Sequence, residues 1–130
     1  MPKRILPHDH GEHLETLMER IPDEEGMNAV AGVFKEVSDA SRLRIFWLLC
    51  HCEACVMNLS AMVDMSAPAV SHHLSRLRAA GLIVSRREGK EVYYRAADTK
   101  PTQLLHRMIE DMAEVTCPDI FCMKHQNTDE

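Results

Sequence analysis

The stretch from Cys55 to Leu82 constrains the fold more strongly than any other part of the chain. Apolar side chains at positions 56, 59 and 63 lie three and four residues apart, which predicts a short helix with one apolar face. A break at residues 64–66 follows, and Ser66 is suited to cap a second helix whose first turn tolerates Pro68. Gly81 is suited to end that helix. Two helices joined by so short a turn are a helix-turn-helix.

The second of these helices is predicted to have two unlike faces. Val70, Leu74 and Leu77 share the apolar face. The opposite face is small, polar and basic, and it consists of His72, Ser75, Arg76 and Ala79, with Ser71 and Arg78 at its borders. Arginine can donate two hydrogen bonds to guanine, and serine or histidine can reach base edges or phosphates, so this face fits a DNA major groove. A helical hairpin in any small all-α domain shows the same alternation, so the pattern alone leaves both interpretations open.

The residues that follow favour the DNA-binding interpretation. Residues 82–87 read as a strand, Glu88-Gly89-Lys90 as a turn and residues 91–96 as a second strand. A recognition helix that runs directly into a hairpin with a basic tip is typical of a winged helix, whose tip lies near the phosphate backbone. The predicted DNA-binding residues are Ser66, Ala67, Ser71, His72, Ser75, Arg76, Arg86, Arg87 and Lys90.

The segment SAPAVSHHLSRLRAAGLIVSRREGKEVYYRA, residues 66–96, closely resembles the signature of the ArsR/SmtB family of metalloregulatory repressors. The resemblance extends over residues 34–113 and includes SDASRLRI at 38–45 and GLIVSRREGKEVYY at 81–94. It implies a mainly α, winged helix-turn-helix fold with a β-hairpin wing, a homodimer formed through terminal helices, and double-stranded operator DNA as the partner. These motifs are specific for the family and much less specific for its ligand.

The rest of the chain is predicted to be helical around this unit. We expect helices over residues 11–21 and 24–37, the second with Val30, Val33, Phe34 and Val37 facing inward. A third helix starts at residues 38–41, with Ser38 or Ser41 as its cap, and its run from Ile45 to Leu49 is expected to be buried. We therefore divide the chain into an N-terminal arm and helix (1–23), the winged helix-turn-helix domain with its terminal dimerisation helix (24–116) and a cysteine-containing tail (117–130).

The last helix is expected to run from about residue 98 to 116 and to mediate dimerisation. Its apolar stripe is wide for packing on one domain alone, and it consists of Leu104, Leu105, Met108, Ile109, Met112 and Val115. A two-fold dimer would set two recognition helices about one turn of DNA apart. Although the net charge is −5, residues 71–95 carry six basic and two acidic side chains, so the basic block coincides with the predicted DNA-binding unit.

The length and composition favour a single cytoplasmic domain that is not an enzyme. The chain has 130 residues, no apolar run near the roughly 20 residues that span a membrane, and no apolar stretch after its N-terminal basic pair. In that compartment the five cysteines are expected to be reduced ligands. No pairing of nucleophile and base, phosphate-binding loop or HExxH motif is recognisable.

The cysteines provide the candidate sensor. Cys52 and Cys55 form a C-x-x-C pair that can reach one metal ion, and Cys117 and Cys122 in the tail could complete a four-thiolate site within one chain or across a dimer. Thiolates favour thiophilic ions, so the expected effector is Zn(II), Cd(II), Pb(II) or As(III). Cys50 follows the apolar residues of its helix at helical spacing and is expected to belong to the core.

The resemblance implies two known metal sites, which this chain matches only in part. Thiol-sensing members carry Glu-x-Cys-x-Cys-Asp-Leu; residues 53–59 keep the first cysteine as Cys55 but have Met57 for the second and Asn58 for the aspartate, and Cys52 could substitute. The other site uses Asp-x-His and His-x-x-His or Glu from paired terminal helices, where this chain has Lys100 for the first histidine. The weaker metal candidates are Asp98, Asp111, Glu114 and His125, and an N-terminal group of His8, Asp9, His10 and His13.

These observations predict a sequence-specific, DNA-binding transcriptional repressor that a thiophilic metal or metalloid ion releases from its operator. One alternative keeps the fold but makes Cys55, with Cys117 or Cys122, a redox or reactive-sulfur switch. A second alternative is an interaction module in which zinc is purely structural and holds the tail to the body.

Overall fold

The computed structural model describes residues 5–8, 10–11 and 13–116. Its elements in chain order are α1 (Leu14–Arg20), α2 (Glu24–Val37), α3 (Ala40–His51), α4 (Val56–Val63), α5 (Ala67–Ala79), β1 (Ile83–Glu88), β2 (Glu91–Ala96) and α6 (Lys100–Thr116). The expected order of helices and hairpin is confirmed. The first helix is shorter than expected, because its regular part begins at residue 14 and ends at residue 20.

Helices α4 and α5 form the helix-turn-helix, and local side chains fix the turn. Asp64 ends α4 in the left-handed conformation at φ 54°, which aspartate tolerates better than most residues. The Ser66 hydroxyl then accepts a hydrogen bond from the Ala69 amide at 3.2 Å and caps α5. At the far end, Gly81 has φ +76°, and the Leu82 amide donates to the Leu77 carbonyl at 3.0 Å. This pattern is a Schellman motif, so the predicted caps are confirmed.

The core lies where α3, α4 and α5 meet the base of the hairpin. The predicted apolar face of α5 is buried, and Ile45 and Phe46 of α3 are fully buried beneath it. The core cluster consists of Ile45, Phe46, Leu49, Ala54, Leu59, Val63, Val70, Leu74, Leu77, Leu82, Ile83 and Leu105. Burying one such aliphatic or aromatic side chain contributes roughly 1.5–3 kcal/mol, so α5 is held rigidly by its inner face.

Strands β1 and β2 form an antiparallel hairpin, which we call the wing. Its register pairs Ile83 with Ala96 and Glu88 with Glu91, so the loop is only Gly89 and Lys90. The expectation that Glu88 belongs to the turn is therefore wrong by one residue. Gly89 has φ +62° at the first loop position, as a tight two-residue hairpin requires.

Two expectations about α2 and α3 are wrong. Asp39, not Ser38 or Ser41, caps α3, and its carboxylate accepts from the Arg42 amide at 2.9 Å. On α2, Val33 and Val37 pack against the core as expected, but Val30 and Phe34 are exposed in the single chain. The apolar stripe of α2 is wider than the area that α3 covers, so part of it remains on the surface. None of the described helices is long and apolar enough to cross a bilayer.

Candidate nucleic-acid interface and metal-ligand clusters

Helix α5 presents its polar face to solvent. Ser71, His72, Ser75 and Arg78 are exposed, as is the cap residue Ser66, while Ala67 next to it is partly buried. The side chains that could reach a DNA groove therefore lie opposite the buried face of the same helix. This surface is polar, which suits insertion into a major groove. Arg78, which the sequence placed only at the border of this face, is an additional exposed cation on it.

Arg76 differs from the other predicted DNA-binding residues of α5, because its guanidinium already has a partner. Its Nε and Nη2 donate to the two carboxylate oxygens of Glu36 at 3.0 and 3.2 Å. The hydrogen bond from Arg76 is the main reason why the pKa of Glu36 lies below its usual value. The pair ties the recognition helix to α2. A DNA contact by Arg76 would have to compete with Glu36 or use the remaining N–H donors of its guanidinium.

A buried arginine extends this connection to α3. Arg42 is 4% exposed; its Nε donates to the Glu36 carbonyl and its Nη1 lies 3.2 Å from His73 Nδ1 on α5. Arg42 Nε also lies 3.7 Å from Oε2 of the Glu36 carboxylate. Burial lowers the pKa of His73, so the neutral ring that can accept from Arg42 is favoured. Arg42, Glu36 and His73 thus link three helices behind the DNA-reading face.

The wing carries the other predicted DNA-binding cations. Arg87 and Lys90 are exposed, and Arg87 Nε donates to the Gly89 carbonyl at 3.3 Å at the hairpin tip. Arg86 instead donates to the Glu53 carboxylate at 2.5–2.9 Å and to Glu88 at 2.7 Å. Its guanidinium also lies 4.8 Å above the Tyr93 ring. Arg87 and Lys90 are therefore available for phosphates, whereas Arg86 is held by the protein.

The segment from Cys52 to Cys55, which we call the cysteine loop, is attached to the wing. It connects α3 to α4, and the Ala54 amide donates to the Tyr94 carbonyl at 3.0 Å. In return the Tyr94 amide donates to the Ala54 carbonyl at 2.9 Å, so Ala54 forms a one-residue bridge on the outer edge of β2. The Glu53 bond to Arg86 is a further link. The C-x-x-C pair is thereby tied to the hairpin on which the predicted phosphate contacts lie.

The described cysteines differ in their environment. Cys52 is exposed and its thiol donates to the Leu48 carbonyl at 3.3 Å, while Cys55 is partly buried at the N-cap of α4. Cys50 packs against the core, as expected. Burial, with a contribution from the charge of Glu110, raises the pKa of Cys50 to about 12. Cys50 is therefore a poor thiolate ligand at neutral pH.

Among the residues that the structure describes, the other predicted ligands form no cluster of three or more. Asp98 precedes α6 and accepts from Gln103 at 2.8 Å, whereas Asp111 lies about three helical turns further along. Glu114 is exposed on the next turn. In the N-terminal group, His8 and His10 stack with ring centroids 5.8 Å apart. Four predicted ligands lie outside the described residues, namely Asp9, Cys117, Cys122 and His125.

Sequence reasoning missed the tightest group of potential ligands. Within the described part of the chain, one set of three or more metal-ligating side chains converges: His51, His106 and Glu110, whose ligand atoms all lie within 4.8 Å of one another. His106 and Glu110 are four residues apart on α6, a spacing that could have indicated a shared face. His51 ends α3, far away in the sequence, and only the packing of α3 against α6 brings it there.

Comparison with known proteins agrees with this geometry. The family described as bacterial regulatory protein, arsR family, matches residues 39–85, from the cap of α3 to the start of the wing. The Transcriptional repressor SmtB homolog of Synechocystis sp. is 32% identical over 114 residues, which cover 88% of this chain and 86% of the relative. The cadmium resistance transcriptional regulatory protein CadC of Listeria innocua is 36% identical over 88 residues, covering 67% and 74%.

A solved structure agrees at the level of the fold. The homodimeric winged helix-turn-helix DNA-binding domain of Mb0332 from Mycobacterium bovis superposes with a TM-score of 0.63 at 29% identity, over 72% of this chain and 88% of that one. This chain spans 60–86% of the length of eight curated relatives that it matches. The chain therefore belongs to the arsR family of bacterial regulatory proteins, and it is a DNA-binding transcriptional regulator with a winged helix-turn-helix fold.

Proposed function

We propose that this chain represses transcription as a homodimer and that a thiophilic metal or metalloid ion, held by its cysteines, releases it from operator DNA. The observation that carries the proposal is the attachment of the cysteine loop to the wing. Two backbone hydrogen bonds join Ala54 to Tyr94, and Glu53 holds Arg86. A change in the loop is thereby transmitted directly to the hairpin that approaches DNA.

The DNA-binding half of the proposal rests on the exposed face of α5 and on the wing tip. Serine, histidine and arginine side chains of α5 are expected to read base edges, with Arg87 and Lys90 on phosphates. The surrounding protein is acidic, because the chain carries 20 acidic and 15 Lys or Arg side chains. Binding should therefore depend on this local basic surface and weaken steeply as salt rises.

The homodimer accounts for the apolar surface that one chain leaves exposed. On α6, Leu104, Met112 and Val115 are 69%, 59% and 82% exposed, and on α2 Phe34 is 50% exposed. Side chains of this size rarely remain in contact with water along a whole helix unless a partner covers them. A second copy of the chain is the simplest partner, and the Mb0332 domain of the same fold is homodimeric.

The effector half of the proposal rests on the residues of the loop. Cys52 and Cys55 offer two thiols at a spacing that one ion can bridge, and Cys117 and Cys122 of the tail could add two more. Soft ions are the natural ligands of thiolates. Relatives of this chain are named for resistance to cadmium and to arsenic. Zn(II), Cd(II), Pb(II) and As(III) are therefore the proposed effectors.

The proposed regulation follows from linkage between the two sites. Thiolates of Cys52 and Cys55 drawn to one ion would change the backbone of the loop, and with it the position of β2 relative to α5. A repressor whose wing and recognition helix no longer fit both half-sites loses operator affinity. The loss equals the coupling free energy, which is typically about 1–3 kcal/mol or roughly 5–150-fold.

The test is an operator titration of the reduced, metal-free protein. A duplex selected from random sequence by that protein serves as the operator, and fluorescence anisotropy gives its affinity with and without zinc, cadmium, lead or arsenite. We expect at least one ion to weaken binding more than about fivefold. The Cys52→Ser/Cys55→Ser variant should lose the response to cadmium, lead and arsenite, whereas the matched control Cys50→Ser should keep it. Equal operator affinity under all conditions would refute metal regulation.

A further inference from the structure

We propose that His51, His106 and Glu110 form a second metal site, separate from the cysteines, that takes a divalent first-row transition ion such as zinc. The site lies between the end of α3 and the middle of α6. None of its ligands is a cysteine, and neither histidine was among the predicted ligands. Whether the chain binds an ion here is independent of the proposed regulation by thiols.

The three ligand atoms form a nearly equilateral triangle. His51 Nε2 lies 3.1 Å from Glu110 Oε1, His106 Nε2 lies 3.0 Å from the same oxygen, and the two Nε2 atoms are 3.1 Å apart. Ligand distances of about 2.0–2.1 Å imply edges of roughly 3.0 Å for octahedral and roughly 3.4 Å for tetrahedral coordination. The observed triangle has the size of one face of such a polyhedron.

Hydrogen bonding alone does not account for all three contacts. Each Nε2 can carry one proton and the carboxylate carries none, so at most two protons are available for three contacts. If both rings donate to Glu110, the two N–H groups face each other at 3.1 Å. If one ring instead donates to the other, the Nε2 of the accepting ring carries no proton, and its lone pair faces the carboxylate oxygen of Glu110. A cation at the centre turns every one of these contacts into a favourable one.

The surroundings suit an ion of this class. Imidazole and carboxylate together favour zinc, nickel, cobalt or iron over the all-oxygen preference of magnesium and calcium. The side chains are partly accessible, with His51 43% exposed and His106 28%, and they border an open cleft of about 370 Å³. Water from the cleft can fill the remaining positions. The indole N–H of Trp47 donates to Glu110 Oε1 at 3.1 Å and fixes the carboxylate.

An ion at this site would join α3 to α6. His51 immediately precedes the cysteine loop, and α6 carries the apolar face proposed for dimerisation. The site would then connect the dimer interface to the loop that holds the wing, a consequence that rests on the proposed function. Zinc would then shift operator affinity even in a chain without the four outer thiols.

The test uses the full chain with Cys52, Cys55, Cys117 and Cys122 changed to serine. Competition with a chromogenic chelator should give one tight zinc site per chain. Cobalt should give visible absorption without a thiolate-to-cobalt charge-transfer band. Because Trp47 is the only tryptophan and touches the site, its fluorescence should change with the same stoichiometry. The loss of one ligand, in His106→Gln or Glu110→Gln, should weaken zinc binding by at least about tenfold.

Two substitutions serve as matched controls. Glu91→Gln removes an exposed carboxylate at the start of β2, and His72→Gln removes an exposed histidine of α5; both should bind zinc like the parent. Circular dichroism shows whether each variant is folded. The proposal is overturned if the four-serine chain binds no zinc, or if His106→Gln and Glu110→Gln bind it as tightly as the controls. If zinc binds at this site but no metal changes operator affinity, the proposed function is refuted, whereas the proposal of this metal site stands.

Discussion

Replacing Arg42 with methionine should destabilise the protein far more than any replacement of an exposed arginine. Arg42 is 4% exposed and joins α2, α3 and α5 through Glu36 and His73. Methionine keeps the apolar stem in place but removes the guanidinium, so the Glu36 carbonyl and the His73 ring lose their donor. Because Arg42 is buried, these acceptors would be left poorly hydrated.

The expected magnitude follows from the contacts. A hydrogen bond to a charged group contributes about 1.5–3 kcal/mol, and breaking a buried pair by removing one partner costs about 3–5 kcal/mol. Glu36 is 19% exposed and keeps its bonds to Arg76, which lowers the cost. We therefore expect Arg42→Met to reduce the free energy of unfolding by about 3 kcal/mol, with a fall of roughly 10 °C in Tm.

Urea denaturation at a fixed protein concentration measures this change. Arg44→Met, on the same helix but exposed, is the matched control and should stay within about 0.5 kcal/mol of the unchanged protein. Operator affinity should also fall in Arg42→Met, since His73 and Arg76 hold the recognition helix through the same network. Similar stabilities for the Arg42 and Arg44 variants would refute the reasoning.

Three other predictions follow from single side chains. Burial holds the pKa of His73 below 6.5, so the unfolded state binds more protons than the folded state, and the free energy of unfolding should fall as the pH decreases from about 7.5 to 5.5. His73→Phe should reduce this pH dependence, as measured by urea titrations at several pH values. An unchanged pH dependence in this variant would contradict the prediction. Since the pKa of Cys50 is raised to about 12, iodoacetamide at neutral pH should modify exposed Cys52 before Cys50, as followed by mass spectrometry, and labelling of Cys50 before Cys52 would contradict its burial. Met112→Glu should give monomers in analytical ultracentrifugation while Met57→Glu, on exposed α4 surface, should not; equal masses would argue against α6 as the interface.

The helix-turn-helix could be predicted in detail because its signals are local. Ser66 lies directly before the helix that it caps, and Gly81 supplies the positive φ at its end. The apolar face of α5 follows from spacing alone. Such features depend on a few neighbouring residues, so periodicity and capping rules reach them without knowledge of the tertiary structure.

The sites were harder to predict because they depend on contacts between distant segments. The sequence identified Arg76 and Arg86 as cations on the right elements, but not that Glu36 and Glu53 already hold them. It did not place His51 among the candidate ligands. Its partners on α6 are 55 and 59 residues away, and no spacing rule joins residues so far apart.

The central claim, that DNA and a thiophilic ion bind opposing states of one protein, is tested most directly by reciprocal titration. Cadmium affinity is measured once with the free reduced protein and once with the protein saturated by operator duplex, and operator affinity is measured with and without saturating cadmium. The two ratios must be equal, and we predict a value above about fivefold. Cadmium that binds equally well to the free and the DNA-bound protein would contradict the account.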